Sequence, residues 1–316
     1  MAMRTRERRL GRRAIVVLAV GAAAVGVVPA SARADHRECG GHAATHRVLE
    51  RMTHRHGLTG AAVRVDDPGC GAWTDASGVA DRRTGRPMRA DLRGRIGSIT
   101  KSFTAVTVLA LAAEGRISLD APVERYLPGL LDRDGYDGRR VTVRSLLRHT
   151  SGLPDHMDTF YWPGDELGIR GPHPRGYVRE ERGGQAEWAD TTAMNTTVAW
   201  AGGALISSPR DVSTFYGALL GGRLLPAAML AEMERAVPGD PDRLWPGAEY
   251  GLGLIRTPLR CGGVWWGHAG DIDGFTAISG VAPSGRRVAI AFNENPSTQE
   301  AFDDELNLIQ TALCDS

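Results

Sequence analysis

Lysine is almost missing from this chain. Lys and Arg together number 38, and Lys101 is the only lysine among them. Arginine therefore serves wherever a solvated cation suffices. A guanidinium does not lose its proton in a protein, whereas a buried amine can be driven to its neutral form. One retained lysine marks a place where the deprotonated amine is wanted. Net charge is also small, +1 at pH 7, and gives no basis for a nucleic-acid or anionic-membrane partner. No Cys-x-x-Cys occurs, which argues against a zinc ribbon or a thiol redox motif. No Gly-x-Ser-x-Gly occurs either, which disfavours an α/β-hydrolase elbow. Phe103 to Ala113 is apolar nearly all round, so the helix is expected to sit in a core, and it is too short to cross a bilayer.

What is present begins with an export pattern. Arg4 to Arg13 is basic, Ala14 to Val28 is apolar, and Ala32-Arg33-Ala34 offers a small-residue cleavage site. Residues 1–34 are therefore expected to be a signal peptide, with Arg12-Arg13 a weak hint of twin-arginine export. Residues 35–316 remain as one domain, a secreted monomer with no membrane span after cleavage. Four cysteines fit an oxidising compartment. Local pairing, Cys39 with Cys70 and Cys261 with Cys314, is the simplest of the three connectivities. His42 and His46 have ligand spacing on a helix, but a surface helix from Thr45 to His56 explains them better than a metal site.

The chemistry centres on Ser98-Ile-Thr-Lys101, which opens the apolar helix running to Ala113. Residues three apart share a helix face, so the Ser98 hydroxyl and the Lys101 amine can meet. A neutral amine beside a hydroxyl is an activated-nucleophile pair. Gly115 is placed to end this helix in the left-handed cap conformation. Strands are expected over Gly60 to Asp66 and Ala72 to Ala80, and a short helix capped by Thr142 runs to His149. Thr159 to Asp190 reads as loop, and Val198 to Ile206 as core. Helices follow over Pro209 to Leu220 and Ala227 to Val237. Strands then cover Tyr250 to Ile255, Val264 to Gly267, Phe275 to Val281 and Val288 to Phe292, before a closing helix from Ser297 to Leu313. This order predicts an α+β fold, an antiparallel sheet with helices on its faces.

Ser98-x-x-Lys101, His149-Thr-Ser-Gly-Leu153, Arg175-Gly-Tyr177 and Trp266-Gly-His-Ala-Gly270, in that order, resemble the penicillin-recognising serine hydrolases. The likeness is greatest to secreted D-alanyl-D-alanine carboxypeptidases and class C beta-lactamases. The resemblance implies Ser98 as the acylated nucleophile and Lys101 as its proton partner. It implies that His268, Ala269 and Gly270 form the third motif on the strand bordering the site. His268 would supply a positive charge or a proton, and Gly270 would let substrate backbone approach. The backbone N–H groups of Ser98 and Asp271 would form an oxyanion hole. Ala269 lacks the hydroxyl often found there, which implies weaker binding of a substrate carboxylate. The implied substrate is a peptidoglycan-type D-alanyl peptide or a beta-lactam, with no cofactor and no metal.

One family motif is missing. Tyr-x-Asn should lie between Leu153 and Arg175, yet Pro154 to Pro174 contains none. The helical lobe is thus expected to be shortened around residues 154–190, and the Tyr that helps move protons is gone. Impaired turnover is expected, and the alternative is a degenerate relative that only binds ligands.

Overall fold

Two faces of one sheet, differing in side-chain size, set the architecture. The structure is a computed structural model and describes residues 39–131, 136–153, 168–195 and 199–315. The expected signal peptide, Tyr161 and most of the segment expected to replace Tyr-x-Asn lie outside the described residues. α1 (Ala43–His54) leads to a hairpin of β1 (Gly60–Asp67) and β2 (Gly71–Asp81), edged by β3 (Arg86–Pro87). β4 (Gly94–Arg95), a 3-10 turn (Gly97–Ile99), α2 (Thr100–Ala113) and the short α3 (Val143–Leu147) follow. Next come β5 (Tyr177–Arg182), β6 (Gln185–Asp190), α4 (Trp200–Gly203), β7 (Ile206–Ser207), α5 (Pro209–Leu220) and α6 (Ala227–Met233). The chain closes with β8 (Val237–Pro238), β9 (Glu249–Tyr250), β10 (Ile255–Pro258), β11 (Val264–Ile272), β12 (Phe275–Val281), β13 (Arg287–Phe292) and α7 (Gln299–Cys314).

Nine of these strands form one antiparallel sheet in the order β3-β2-β1-β13-β12-β11-β10-β9-β8. Side chains alternate across it. Val63, Val65, Ile278, Val288, Ile290, Phe292 and Trp265 face α1 and α7, where they pack on Leu49, Met52, Leu308 and Ile309. The opposite face carries small residues at the matching positions, among them Ala277 and Ala289, and there α2, α5 and α6 sit. Alanine on that face lets the helices approach closely. Burying a Phe or Trp on the other contributes about 1.5–3 kcal/mol per side chain.

Local signals place the helices. Thr142 caps α3 and Ser145 reciprocates, a full capping box. Ser208 accepts from Asp211 N at the start of α5, with Pro209 in its first turn. Gly115 takes φ +71° after α2, as the cap requires. Cys39–Cys70 fastens the N-terminal segment to the β1–β2 turn, and Cys261–Cys314 ties α7 to the approach of β11.

Four expectations need correction. The loop expected over Thr159 to Asp190 contains the β5–β6 hairpin, paired from Tyr177↔Asp190 to Arg182↔Gln185. Tyr250 to Ile255 is not one strand, because Gly251–Leu254 turns between β9 and β10. Val198 to Ile206 is not core throughout: Val198 lies outside the described residues, Ala199 and Gly203 are buried, and Trp200 is 78% exposed. α2 is core on one side only, with Ser102, Ala105 and Leu109 buried and Thr107 exposed.

Candidate active site

Ser98 sits in the 3-10 turn that feeds α2, between two buried isoleucines, Ile96 and Ile99, that anchor the turn in the core. Lys101 follows in the first turn of α2. Its Nζ donates to Ser98 Oγ at 2.8 Å and to the carbonyl of Gly202 at 3.0 Å. Both side chains are half-buried, shielded yet reachable from solvent. α4 is held against α2 by two further bonds. Thr104 Oγ1 donates to Ala201 O at 2.7 Å, and Leu205 N donates to Thr100 Oγ1 at 3.2 Å. The carbonyl that orients the amine is therefore itself fixed. Beneath, Ser102 Oγ donates to Gly253 O at 2.7 Å and lies 2.9 Å from the buried Tyr216 hydroxyl.

β11 forms the second side. Its pairing with β10 ends at Gly267, while β12 accompanies it to Ile272. The edge freed beyond Gly267 runs against the nucleophile turn. A Cβ on Gly270 would stand 2.2 Å from Ile96 O and 2.5 Å from Ser98 N. One on Gly97, which has φ +47°, would stand 2.7 Å from both Asp271 N and Asp271 O. Backbone meets backbone here, and glycine at both positions is what permits it. Ser98, Lys101, Gly270 and the Asp271 backbone are thus gathered at one place. Ala269 is half-buried, and its methyl packs on the α1–α7 core.

His268 differs from the expectation of a charged or proton-giving group. It is only 5% exposed. Its Nε2 lies 2.8 Å from the Tyr250 hydroxyl, and its Nδ1 is bonded to the carbonyl of Ala269. A carbonyl can only accept, so Nδ1 carries the proton and Nε2 accepts from Tyr250. Burial drives the imidazole down to about 3; the Ala269 carbonyl opposes this, and repulsion from Lys101 and His149 adds to it. At neutral pH it is an uncharged ring with both nitrogens committed. Burial also pushes the Tyr250 phenol up, so it stays a donor.

Sequence reasoning missed Tyr250, Gly202 and the ring of His149. His149 takes φ 58°, unusual for a side chain of its size, and its ring meets Tyr250 edge-on with centroids 5.0 Å apart. The helical histidines do not converge on a metal. His42 stacks on Trp73 at 4.3 Å with its Nδ1 toward Arg286, and His46 pairs with Asp75. Among the described residues, no three His, Cys, Asp or Glu side chains are placed to hold an ion.

Comparison with known proteins agrees with this geometry. The Beta-lactamase family matches residues 45–168 and 165–313. Esterase EstB of Burkholderia gladioli is 44% identical over 108 residues, 34% of this chain and 27% of that protein. Penicillin-binding protein 4* of Bacillus subtilis is 30% identical over 124 residues, 39% of this chain and 26% of that protein. The matches to these curated relatives thus span about a quarter of their length. The solved structure of a D-stereospecific amidohydrolase from Streptomyces sp. superposes with TM-score 0.71 and 31% identity, covering 84% of this chain and 98% of that one. The D-amino acid amidase of Ochrobactrum anthropi SV3, 23% identical with TM-score 0.71 over 85% of this chain and 99% of its own, shares the fold. With Ser98 and Lys101 in contact at the head of α2, Gly270 laid against them, and the family match running through almost the whole described chain, this protein belongs to the beta-lactamase family of penicillin-recognising serine hydrolases.

Proposed function

We propose that this chain is an exported serine acyl hydrolase that forms an acyl-enzyme on Ser98. The observation that carries the proposal is the 2.8 Å contact between Lys101 Nζ and Ser98 Oγ. Ser98 Oγ attacks a D-alanyl peptide, amide, ester or lactam carbonyl, and its proton passes to the Lys101 amine. The tetrahedral oxyanion lies between the N–H groups of Ser98 and Asp271, each worth about 3 kcal/mol. Collapse expels the leaving group, which takes the proton back from Lys101, and water then hydrolyses the ester. His268, neutral and buried, supports the Ala269–Gly270 backbone from behind rather than exchanging protons.

Turnover is slow in this proposal, because the Tyr-x-Asn tyrosine is missing from the sequence. That absence also favours a second reading, a degenerate member that binds D-alanyl ligands without turning them over. Intact-mass measurement separates them. The mature protein is incubated with a penicillin and, separately, with a p-nitrophenyl acyl ester. An adduct on Ser98 that is missing in Ser98→Ala and decays with time supports the hydrolase. A stable unmodified mass with both reagents supports the binding protein.

A further inference from the structure

The turn between β11 and β12 begins two residues beyond Asp271, the proposed oxyanion donor, and a side chain from outside the hairpin holds it. We infer that this side chain, Asn295, is a positioning residue for acyl transfer: its carboxamide fixes the β11–β12 turn and, through Thr276, the place of the Asp271 N–H. The inference rests on the acyl-hydrolase reading and adds a residue to it.

Asn295 stands just past the end of β13 and is half-buried. Its Oδ1 accepts from Gly274 N at 2.7 Å. Its Nδ2 donates to Ile272 O at 3.3 Å, to Phe275 O at 3.2 Å and to Thr276 Oγ1 at 3.0 Å. A backbone N–H on one side and two carbonyls on the other admit the carboxamide in one orientation only. Thr276 is buried, and its Oγ1 donates to Asp271 Oδ1 at 2.5 Å. The single hydroxyl proton goes to that carboxylate, so the hydroxyl accepts from Asn295. Hydrogen bonds thus run from Asn295 through Thr276 to Asp271, and the last two are also paired in the β11–β12 register. The Asp271 N–H at the end of this path faces the nucleophile turn, where a Cβ on Gly97 would stand 2.7 Å from its nitrogen.

A hairpin turn does not need this much support. Gly274 takes φ +80°, which suits a tight turn by itself. The β12–β13 turn of the same sheet closes on its own backbone, with Ala282 N bonded to Arg286 O and Gly285 N to Ala282 O. The β11–β12 turn is instead gripped from its surroundings. Besides Asn295, Thr191 Oγ1 donates to Asp273 O at 3.1 Å, and a Cβ on Gly274 would stand 2.8 Å from Tyr177 N. Ile272 and Phe275 pack with Ala199, which leads into α4, the helix whose Gly202 carbonyl accepts from Lys101. The turn therefore touches both the strand that carries the oxyanion donor and the segment that orients the amine. Such restraint has a catalytic use, because a misplacement of about 1 Å can cost about 10²-fold in rate.

The test follows Ser98 acylation by a p-nitrophenyl acyl ester in a rapid-mixing burst, in the parent, Asn295→Ala and Thr276→Val. In Asn295→Ala the burst rate constant is expected to fall about tenfold to a hundredfold, while the ester's apparent dissociation constant stays near the parent's. Thr276→Val removes only the last link and should fall in the same direction by less. The double variant should be no slower than Asn295→Ala alone, because both changes act along one path. A second reading uses phenylboronic acid, whose boron bonds to Ser98 Oγ as the Ser98 proton passes to Lys101, placing a boron-bound oxygen where the oxyanion forms. Its affinity should drop by the same factor as the burst rate, which a general loosening of the fold would not produce. Parental burst rates in Asn295→Ala, a loss carried by the dissociation constant alone, or an unchanged boronate affinity beside a slowed burst would overturn the inference while leaving the hydrolase reading intact. Should Asn295→Ala not fold, Thr276→Val, which keeps the parent's shape, decides by the same two readings. If the parent itself gives neither a burst nor a Ser98 adduct by intact mass, the hydrolase reading falls and the inference falls with it.

Discussion

Gly270 lies so close to Ser98 that a Cβ on it would stand 2.5 Å from the Ser98 nitrogen. The approach is backbone to backbone, so neither side can yield by turning a rotamer. Gly270→Ala must push β11 away from the nucleophile turn or distort both. Overpacking of this kind costs about 1–3 kcal/mol of stability. It also displaces the proposed Ser98 and Asp271 oxyanion donors, where loss of one donor costs about 10²–10³ in rate. The expected outcome is a folded protein with a thermal midpoint a few degrees lower and Ser98 acylation reduced at least a hundredfold. Acylation at the parental rate would show that this close approach does not position the donors.

Lys101 offers a test that few proteins allow, since it is the only lysine. Lys101→Arg keeps a nitrogen donor and most of the reach, but a guanidinium holds its own proton and cannot accept the one from Ser98. Loss of a general acid–base group typically costs about 10²–10⁴ in rate. Acyl-enzyme formation with a p-nitrophenyl ester should fall by that factor while the melting transition stays near the parent's. Equal burst rates in the two proteins would remove Lys101 from the proton path.

How far the sequence alone reached can be argued from particular residues. Ser98 and Lys101 are three apart on one helix, and their contact follows from helix geometry. Ser208 with Pro209, and Thr142 with Ser145, are local capping signals, and the helices begin where those signals stand. β1, β12 and β13 read as strands because their apolar runs are bounded by turn residues. β5 and β6 did not, because Tyr177 to Arg182 and Gln185 to Asp190 mix charges into both faces. That hairpin is held instead by tertiary contacts. Trp188 Nε1 donates to Glu294, and the Arg82 guanidinium lies 3.7 Å from the Trp188 ring centre. Only the Gly183-Gly184 turn could have revealed it. Tyr250 and His268 sit on strands that are not neighbours in the sheet. Nothing local says that the phenol will close off the imidazole, so a charged His268 was the natural expectation. Trp200 misled in the other direction, since an apolar stretch does not say which of its residues will face water.

The Cys261–Cys314 bridge joins the approach to β11 with the end of α7, across 53 residues of chain. In the chain-entropy account, closing a loop of that length stabilises by about 4 kcal/mol. Replacing both cysteines by Ala should lower the midpoint of chemical denaturation by a corresponding amount and loosen α7 first. Hydrogen exchange over residues 299–314 reports the loosening. Unchanged protection there would show that the apolar contacts of Leu308, Ile309 and Ala312 hold the helix without the bridge.

Acid should act on the same helix through Asp304. Its carboxylate accepts from Arg51 Nη2 at 3.0 Å and Nε at 3.2 Å, and lies 2.8 Å from His56 Nε2, joining α7 to α1 and the turn after it. The Arg51 bond is the leading cause that holds this carboxyl well below the usual carboxylate range. A group depressed in the folded state contributes stability above its unfolded pKa, near 4, and loses it as pH falls below that. Arg51 is partly exposed to solvent, so Asp304→Asn should cost only about 1–2 kcal/mol at pH 7. The difference between parent and variant should shrink steadily below pH 4. A difference that is the same at pH 3 and pH 7 would mean that shape, not charge, holds α7 there.

The missing Tyr-x-Asn makes the last prediction quantitative. A typical enzyme turns over at about 10 per second, and loss of one proton-moving group removes about 10²–10⁴ of that. Hydrolysis of D-alanyl peptides and of a chromogenic cephalosporin by this chain should therefore run at about 10⁻³–10⁻¹ per second or below. Grafting a relative's Tyr-x-Asn segment between Gly164 and Asp165 should raise the rate. Turnover of the cephalosporin by the natural chain at about 10 per second, abolished by Ser98→Ala, would show that proton transfer at this site does not depend on the missing tyrosine and that another group already moves the proton.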